Sequence, residues 1–165
     1  RLNHIHEGTW GIQGLDILGR KVHMHNGAAV AILREDIQRT LDSAAHHNTL
    51  DEYSTALSRA LGVMEQTIAT VAQCDDKALA LANATLFLDA AGHIVIAWMW
   101  LKQAVAAANG LQNGVAADVA FYQGKLAATA FFFRYELPKA TTNLALVAAL
   151  DSTCYDLTAE QFLGA

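Results

Sequence analysis

Proline is almost missing from this sequence, Pro138 being the only one in 165 residues. With the strongest helix breaker so rare and alanine the commonest residue, long helices are favoured and an all-α protein is expected. Cysteine is scarce too. Cys74 and Cys154 stand far apart and match no metal-ligand spacing, which fits a reduced, cytoplasmic setting. Charge is thin, at 16% of residues against 53% apolar, and this excludes a disordered chain. No basic block exists: 11 Lys and Arg face 16 Asp and Glu, for a net charge of −5, so no nucleic-acid partner is expected. Long apolar runs are also lacking. Residues 90–101, between Asp89 and Lys102 and interrupted by His93, fall short of the roughly 20 residues of a membrane span and read as a buried helix. Residues 1–11 are polar and form no signal peptide. Residue 1 is Arg, not Met, and the expectation drawn from it is a piece of a longer reading frame.

What is present is helical periodicity. Ile12, Leu15, Leu18 and Val22 predict a short helix over 12–22, and Asn26 is a candidate cap for a second over 27–45. Thr49-Leu50-Asp51-Glu52 fits a capping box ahead of a helix whose apolar stripe is Tyr53, Leu57, Leu61, Met64, Ile68 and Val71. Residues 77–109 read as one central helix, with Ala90, Gly92 and Ala97 as points of close approach. Residues 109–114 read as a turn whose glycines suit a left-handed helix end. A helix over 115–136 follows, then one begun or kinked by Pro138 and ending near Leu150, then a turn after Thr158. Long helices with short links predict an up-and-down helical bundle.

Chemistry concentrates near the start, in Glu7-Gly8-Thr9-Trp10-Gly11-Ile12-Gln13-Gly14-Leu15-Asp16-Ile17-Leu18-Gly19-Arg20-Lys21. A carboxylate just before a glycine and a hydroxyl residue, ahead of a helix, presents a base beside outward-facing amides. A Glu-Gly-Thr triplet alone is more often a solvated turn.

The longer run resembles the acyl-CoA dehydrogenase family, in which a Glu-Gly-Thr-like segment followed by Ile-Gln precedes the last helix. Residues 7–21 are closest to the branch with a C-terminal helical extension, which includes the 3-methylmercaptopropionyl-CoA dehydrogenases. Gly92-His93, Trp98, Trp100, the run Phe121-Tyr122-Gln123-Gly124-Lys125 and the run Phe132-Phe133-Arg134-Tyr135-Glu136-Leu137-Pro138 look like that extension.

The resemblance implies FAD-dependent oxidation of an acyl-CoA thioester to the 2-enoyl-CoA. Glu7 would be the catalytic base for the α-proton, while a hydride passes to the flavin. Gly8, Thr9 and Gly11 would be cofactor-adjacent backbone. It further implies an electron-transferring flavoprotein as acceptor and a homo-oligomer. Residues 1–22 would close the catalytic helical domain and 23–165 would be the helical-bundle extension. Such a piece is expected to be inactive alone. The chemistry is coherent, because a thioester α-proton is weakly acidic and its base must be desolvated, with donors aimed at the developing enolate oxygen.

Other constellations have plainer readings. The histidines offer no helical pair with a carboxylate, so no metal is expected, and they read as surface or loop residues. His93 reads as a hydrogen-bonded core or interface residue. Asp118, Lys125, Arg134 and Glu136 read as a solvated face. Trp98, Trp100 and the 131–133 phenylalanines read as core, partly facing another domain. Two further functions stay open: a non-catalytic helical packing or oligomerisation module, and a small-molecule-binding bundle lined by those aromatics.

Overall fold

The computed structural model describes residues 9–114 and 118–163. Every regular element among them is helical. The helices are α1 (Trp10–Gly19), α2 (Ala28–Ala44), α3 (Asp51–Ala72), α4 (Lys77–Leu81), α5 (Ala84–Asn113), α6 (Val119–Phe131), α7 (Leu137–Ala148) and α8 (Ala159–Leu163). The all-α bundle expected from composition is the observed architecture.

α5 is the axis, and α1, α3, α6 and α7 pack around it. Its inner face reads Phe87, Ala90, Ile94, Ala97, Leu101 and Ala104, each fully buried. Alanines at 90, 97 and 104 recur every seven residues, so a strip of small side chains lets neighbouring helices come close. Leu18 from α1, Ile37 from α2, Leu57 from α3 and Leu144 from α7 complete one core. Full burial of each such side chain stabilises by about 1.5–3 kcal/mol. In α3 the predicted stripe is borne out at Tyr53, Leu57, Leu61, Met64 and Val71, while Ile68 is only half-buried.

Several boundaries differ from the sequence reading, each for a local reason. Asn26 caps nothing. It lies in a kinked link (Lys21–Gly27) where His25, Asn26 and Gly27 successively take φ of 50°, 57° and 81°, and Gly27 occupies the cap position of α2. Thr49 forms no capping box either. A 3₁₀ turn (Asn48–Leu50) seats Leu50 in the core, making it the residue before α3, and Asp51 and Glu52 instead interact favourably with the positive end of the helix dipole from the first turn. The expected 77–109 helix is broken early. Asp76 caps the short α4, its carboxylate accepting from the Ala78 and Leu79 amides at 2.9 and 3.1 Å. Asn83 precedes α5 and donates from its carboxamide to the Asp151 carbonyl at 2.7 Å. The expected turn at 109–114 is helical through Asn113, and Gly114, at φ 76°, ends α5 in the left-handed conformation anticipated for a glycine. The expected 115–136 helix stops at Phe131. A wider π-helical turn (Phe132–Glu136) then feeds α7, with Pro138 in its first turn.

Gly92 is not a point of close approach. It is exposed, and nothing lies within 4 Å of where a Cβ would sit. The close approach falls at Gly14, where a Cβ would lie 2.8 Å from the Ala84 carbonyl oxygen, so α1 crosses the start of α5 backbone to backbone.

The helical segment Lys77–Asn113 is long and apolar enough to cross a membrane by length and composition, a longer window than residues 90–101 alone. Only 28% of its most apolar 18 residues is buried.

Candidate functional site

Glu7 and Gly8 lie outside the described residues, as do His4 and His6. Thr9 and Gly11 stand at the start of α1. Thr9 occupies the N-cap position, and its carbonyl accepts from the Gln13 amide at 2.8 Å. The first turn holds no acidic side chain, and among the described residues nothing lies within 4 Å of where a Gly11 Cβ would be. Trp10, Ile12 and Leu15 are exposed.

The rest of the motif is structural. Gly14 permits the crossing of α5. Leu18 is fully buried. Gly19 faces the Leu81 side chain, which a Cβ would approach to 3.2 Å. Asp16 receives Arg20 at 2.6 Å and Lys21 at 3.1 Å. Hydrogen bonds from those two cations hold its carboxyl below the usual carboxylate range. Thus Asp16, Arg20 and Lys21 clasp the C-terminal end of α1, while the candidate chemistry sits at its other end.

Sequence reasoning missed the residues that face α1 from the bundle. Trp10 shares a concavity of about 370 Å³ with Thr85, Leu86 and Asp89 of α5. Asp89 also accepts from the Asn143 carboxamide at 2.8 Å, and its carbonyl accepts from His93 Nδ1 at 2.8 Å. His93 is therefore a half-buried, hydrogen-bonded residue, as expected, with Nε2 3.8 Å from Glu136. No sequence spacing links residue 10 to residue 89; only the α1–α5 crossing does.

Three expectations need correction. His47 is not a loop histidine on the surface. It is buried, with Nε2 donating to Asn109 Oδ1 at 3.0 Å and Nδ1 facing Gln112 at 3.4 Å, so it ties the link before α3 to the end of α5. The solvated-face reading holds for Arg134, whose exposed guanidinium reaches both carboxylate oxygens of the equally exposed Glu52, at 3.3 and 3.0 Å, and keeps that carboxyl below its ordinary range. It fails for the half-buried Lys125, which donates to Gln103 at 2.9 Å and lies over the Trp100 and Phe121 rings. The aromatics do not share one pocket. Trp98 donates to Thr40 at 2.7 Å beside a concavity of about 440 Å³, Phe133 is buried against Tyr53, and Phe131 turns outward.

A further concavity, of about 620 Å³, opens between α2 and α3 near the C-terminal end of α1. Val30, Ile68 and Ala72 are among its apolar lining, and the Arg34–Glu65 pair spans its rim with two contacts of 2.6 Å.

With helices and motif in place, comparison with known proteins defines the class. Residues 33–158 match the family described as acetyl-CoA dehydrogenase C-terminal like, and the chain belongs to that family. It is similar, at 30% identity over 166 aligned positions, to the broad-specificity linear acyl-CoA dehydrogenase FadE5 of Mycobacterium tuberculosis (strain ATCC 25618 / H37Rv). The alignment takes in 95% of this chain and 27% of the relative, so the chain spans about a quarter of that protein's length.

Proposed function

We propose that this chain is the C-terminal part of an FAD-dependent acyl-CoA dehydrogenase in which Glu7 is the catalytic base. The observation that carries the reading is the placement of the motif. The run from Glu7 to Lys21 leads into a helix locked onto α5 of an acyl-CoA dehydrogenase-type bundle, and the resemblance to FadE5 extends over nearly the whole chain. The exposed apolar side chains Ile12 and Leu15 give α1 a face suited to further protein. A division near residue 22, with 1–22 completing a catalytic helical domain and 23–165 forming the extension, is supported by the left-handed backbone at His25, Asn26 and Gly27.

In this reading Glu7 takes the α-proton of the thioester, and backbone at Gly8, Thr9 and Gly11 lines the cofactor. FAD, when bound, accepts the hydride. The pull on the α-proton requires Glu7 to be shielded from water. The substrate is an acyl-CoA, the acceptor an electron-transferring flavoprotein, the setting cytoplasmic, and the branch that of the 3-methylmercaptopropionyl-CoA dehydrogenases.

The test uses the enzyme expressed from its whole reading frame. Glu7→Gln is expected to leave flavin bound and to slow acyl-CoA-dependent flavin bleaching by about 10²–10⁴-fold. Unchanged bleaching in that variant would remove Glu7 from the reaction. The 165-residue chain alone is expected to purify without a flavin spectrum.

A second reading, a packing or oligomerisation module, is favoured by one observation. Much of the apolar surface of α5 remains uncovered in the single chain.

A further inference from the structure

The concavity of about 440 Å³ between α2 and α5 is lined mostly by polar side chains. α2 contributes Asp36, Arg39, Thr40 and Ser43, and α5 contributes Trp98 and Lys102. The indole is fixed in place. Trp98 Nε1 donates to Thr40 Oγ1 at 2.7 Å, and the Thr40 hydroxyl, itself buried, donates to the Asp36 carbonyl at 3.3 Å. The half-buried Trp98 ring is therefore a platform held between the two helices.

Two cations stand at this platform. Lys102 Nζ lies 5.1 Å from the centre of the Trp98 ring and, among the described residues, has no carboxylate partner. Arg39 meets Asp36 through Nη2 alone, and its side chain is 71% exposed. Two positive charges against one negative leave the concavity net positive, in a chain whose net charge is −5. Ser43 Oγ donates to the Arg39 carbonyl at 2.9 Å, so what it offers a ligand is its lone pairs.

We propose that this α2–α5 concavity binds a free nucleoside phosphate, with its base on Trp98, its phosphate between Arg39 and Lys102, and a ribose hydroxyl donating to Ser43. Each part of the ligand answers a part of the site. Guanidinium and ammonium groups bind phosphate through charge-assisted hydrogen bonds. An indole face takes a flat ring by stacking, and Lys102, displaced by the base, exchanges a cation–π contact for the phosphate. A bare phosphate would leave the platform unused, and an uncharged ring would leave Lys102 unpaired. The volume falls in the range of small-ligand sites, about 300–1,000 Å³. Cover by further protein is disfavoured, because burying Lys102 without a carboxylate is costly and protein interfaces are depleted of lysine. The site also looks away from the start of α1. Trp98 follows Asp89 by about two and a half helical turns and so lies on the opposite side of α5 from the concavity that Asp89 shares with Trp10. The occupant is therefore a free nucleotide rather than the nucleotide end of a thioester held beside α1. The proposal goes beyond the dehydrogenase reading and does not rest on it.

The test titrates ADP into the 165-residue chain by equilibrium dialysis, with tryptophan fluorescence as a second readout. ADP is expected to bind and to quench the fluorescence, with adenosine and inorganic phosphate each weaker by at least about tenfold. Arg39→Ala and Lys102→Ala are each expected to weaken ADP by about tenfold with helicity unchanged by circular dichroism. Trp98→Phe keeps a ring for the base, so it is expected to retain binding by dialysis and to lose most of the quenching. Arg59→Ala, which removes an exposed cation from α3, is expected to change neither readout. Four results would each overturn the proposal. One is no binding of ADP up to ~5 mM. Another is an affinity indifferent to both Arg39→Ala and Lys102→Ala. A third is equal binding of ADP and inorganic phosphate, which would mark an unspecific anion patch. The fourth is read in the enzyme expressed from its whole reading frame: loss of ADP binding, or its displacement by an acyl-CoA, would give the concavity to the rest of the protein or to the substrate.

Discussion

α1 and α2 meet the bundle in opposite ways. At the α1–α5 crossing, Gly14 brings backbone against backbone so closely that one added methyl would sit 2.8 Å from a carbonyl oxygen. Between α2 and α3 the helices stand apart around a groove of about 620 Å³, closed at its rim by an exposed Arg34–Glu65 pair. Contact shape fixes the first junction, and surface charge bridges the second. The helix that leads out of the candidate active-site segment is thus the one held with least freedom. A base acting on a carbon acid needs such a mount, because displacement of about 1 Å is enough to lower a rate a hundredfold.

Substitutions at the two junctions test this contrast. The largest effect is expected from Gly14→Ala, which overpacks a contact made by backbone rather than by a movable side chain. A loss of about 1–3 kcal/mol in urea unfolding is expected. Arg34→Ala at the open junction is expected to cost no more than about 1 kcal/mol, because exposed pairs are solvated and screened, and its cost should shrink in high salt. Ala69→Leu adds three carbons where the groove has room, and its melting temperature should stay within about 0.5 kcal/mol equivalent of wild type. A tolerated Gly14→Ala, or an Arg34→Ala more damaging than it, would reverse the contrast.

The fold was largely legible because its signals are local. The α3 stripe recurs at helical spacing, the scarcity of proline leaves helices unbroken, and Gly114 stops α5 where a residue without a Cβ is favoured. Capping predictions at Asn26 and Thr49 failed because tertiary burial outweighed them. Seating Leu50 in the core outweighs the side-chain cap at Thr49, and a left-handed backbone run displaces the cap at Asn26. The candidate site was legible only as a motif. Nothing in residues 7–21 announces that Gly14 answers to Ala84, or that Trp10 faces Thr85 and Asp89.

The sequence by itself determined the helical class, the apolar axis of the bundle and the carboxylate-bearing segment, since composition, periodicity and motif are properties of neighbours along the chain. The tertiary structure decided which glycine is a contact, that His47 is buried, and that α2 and α5 close a concavity around Trp98. Each of these depends on which helix faces come together, and residues tens of positions apart meet only once the core has closed around α5.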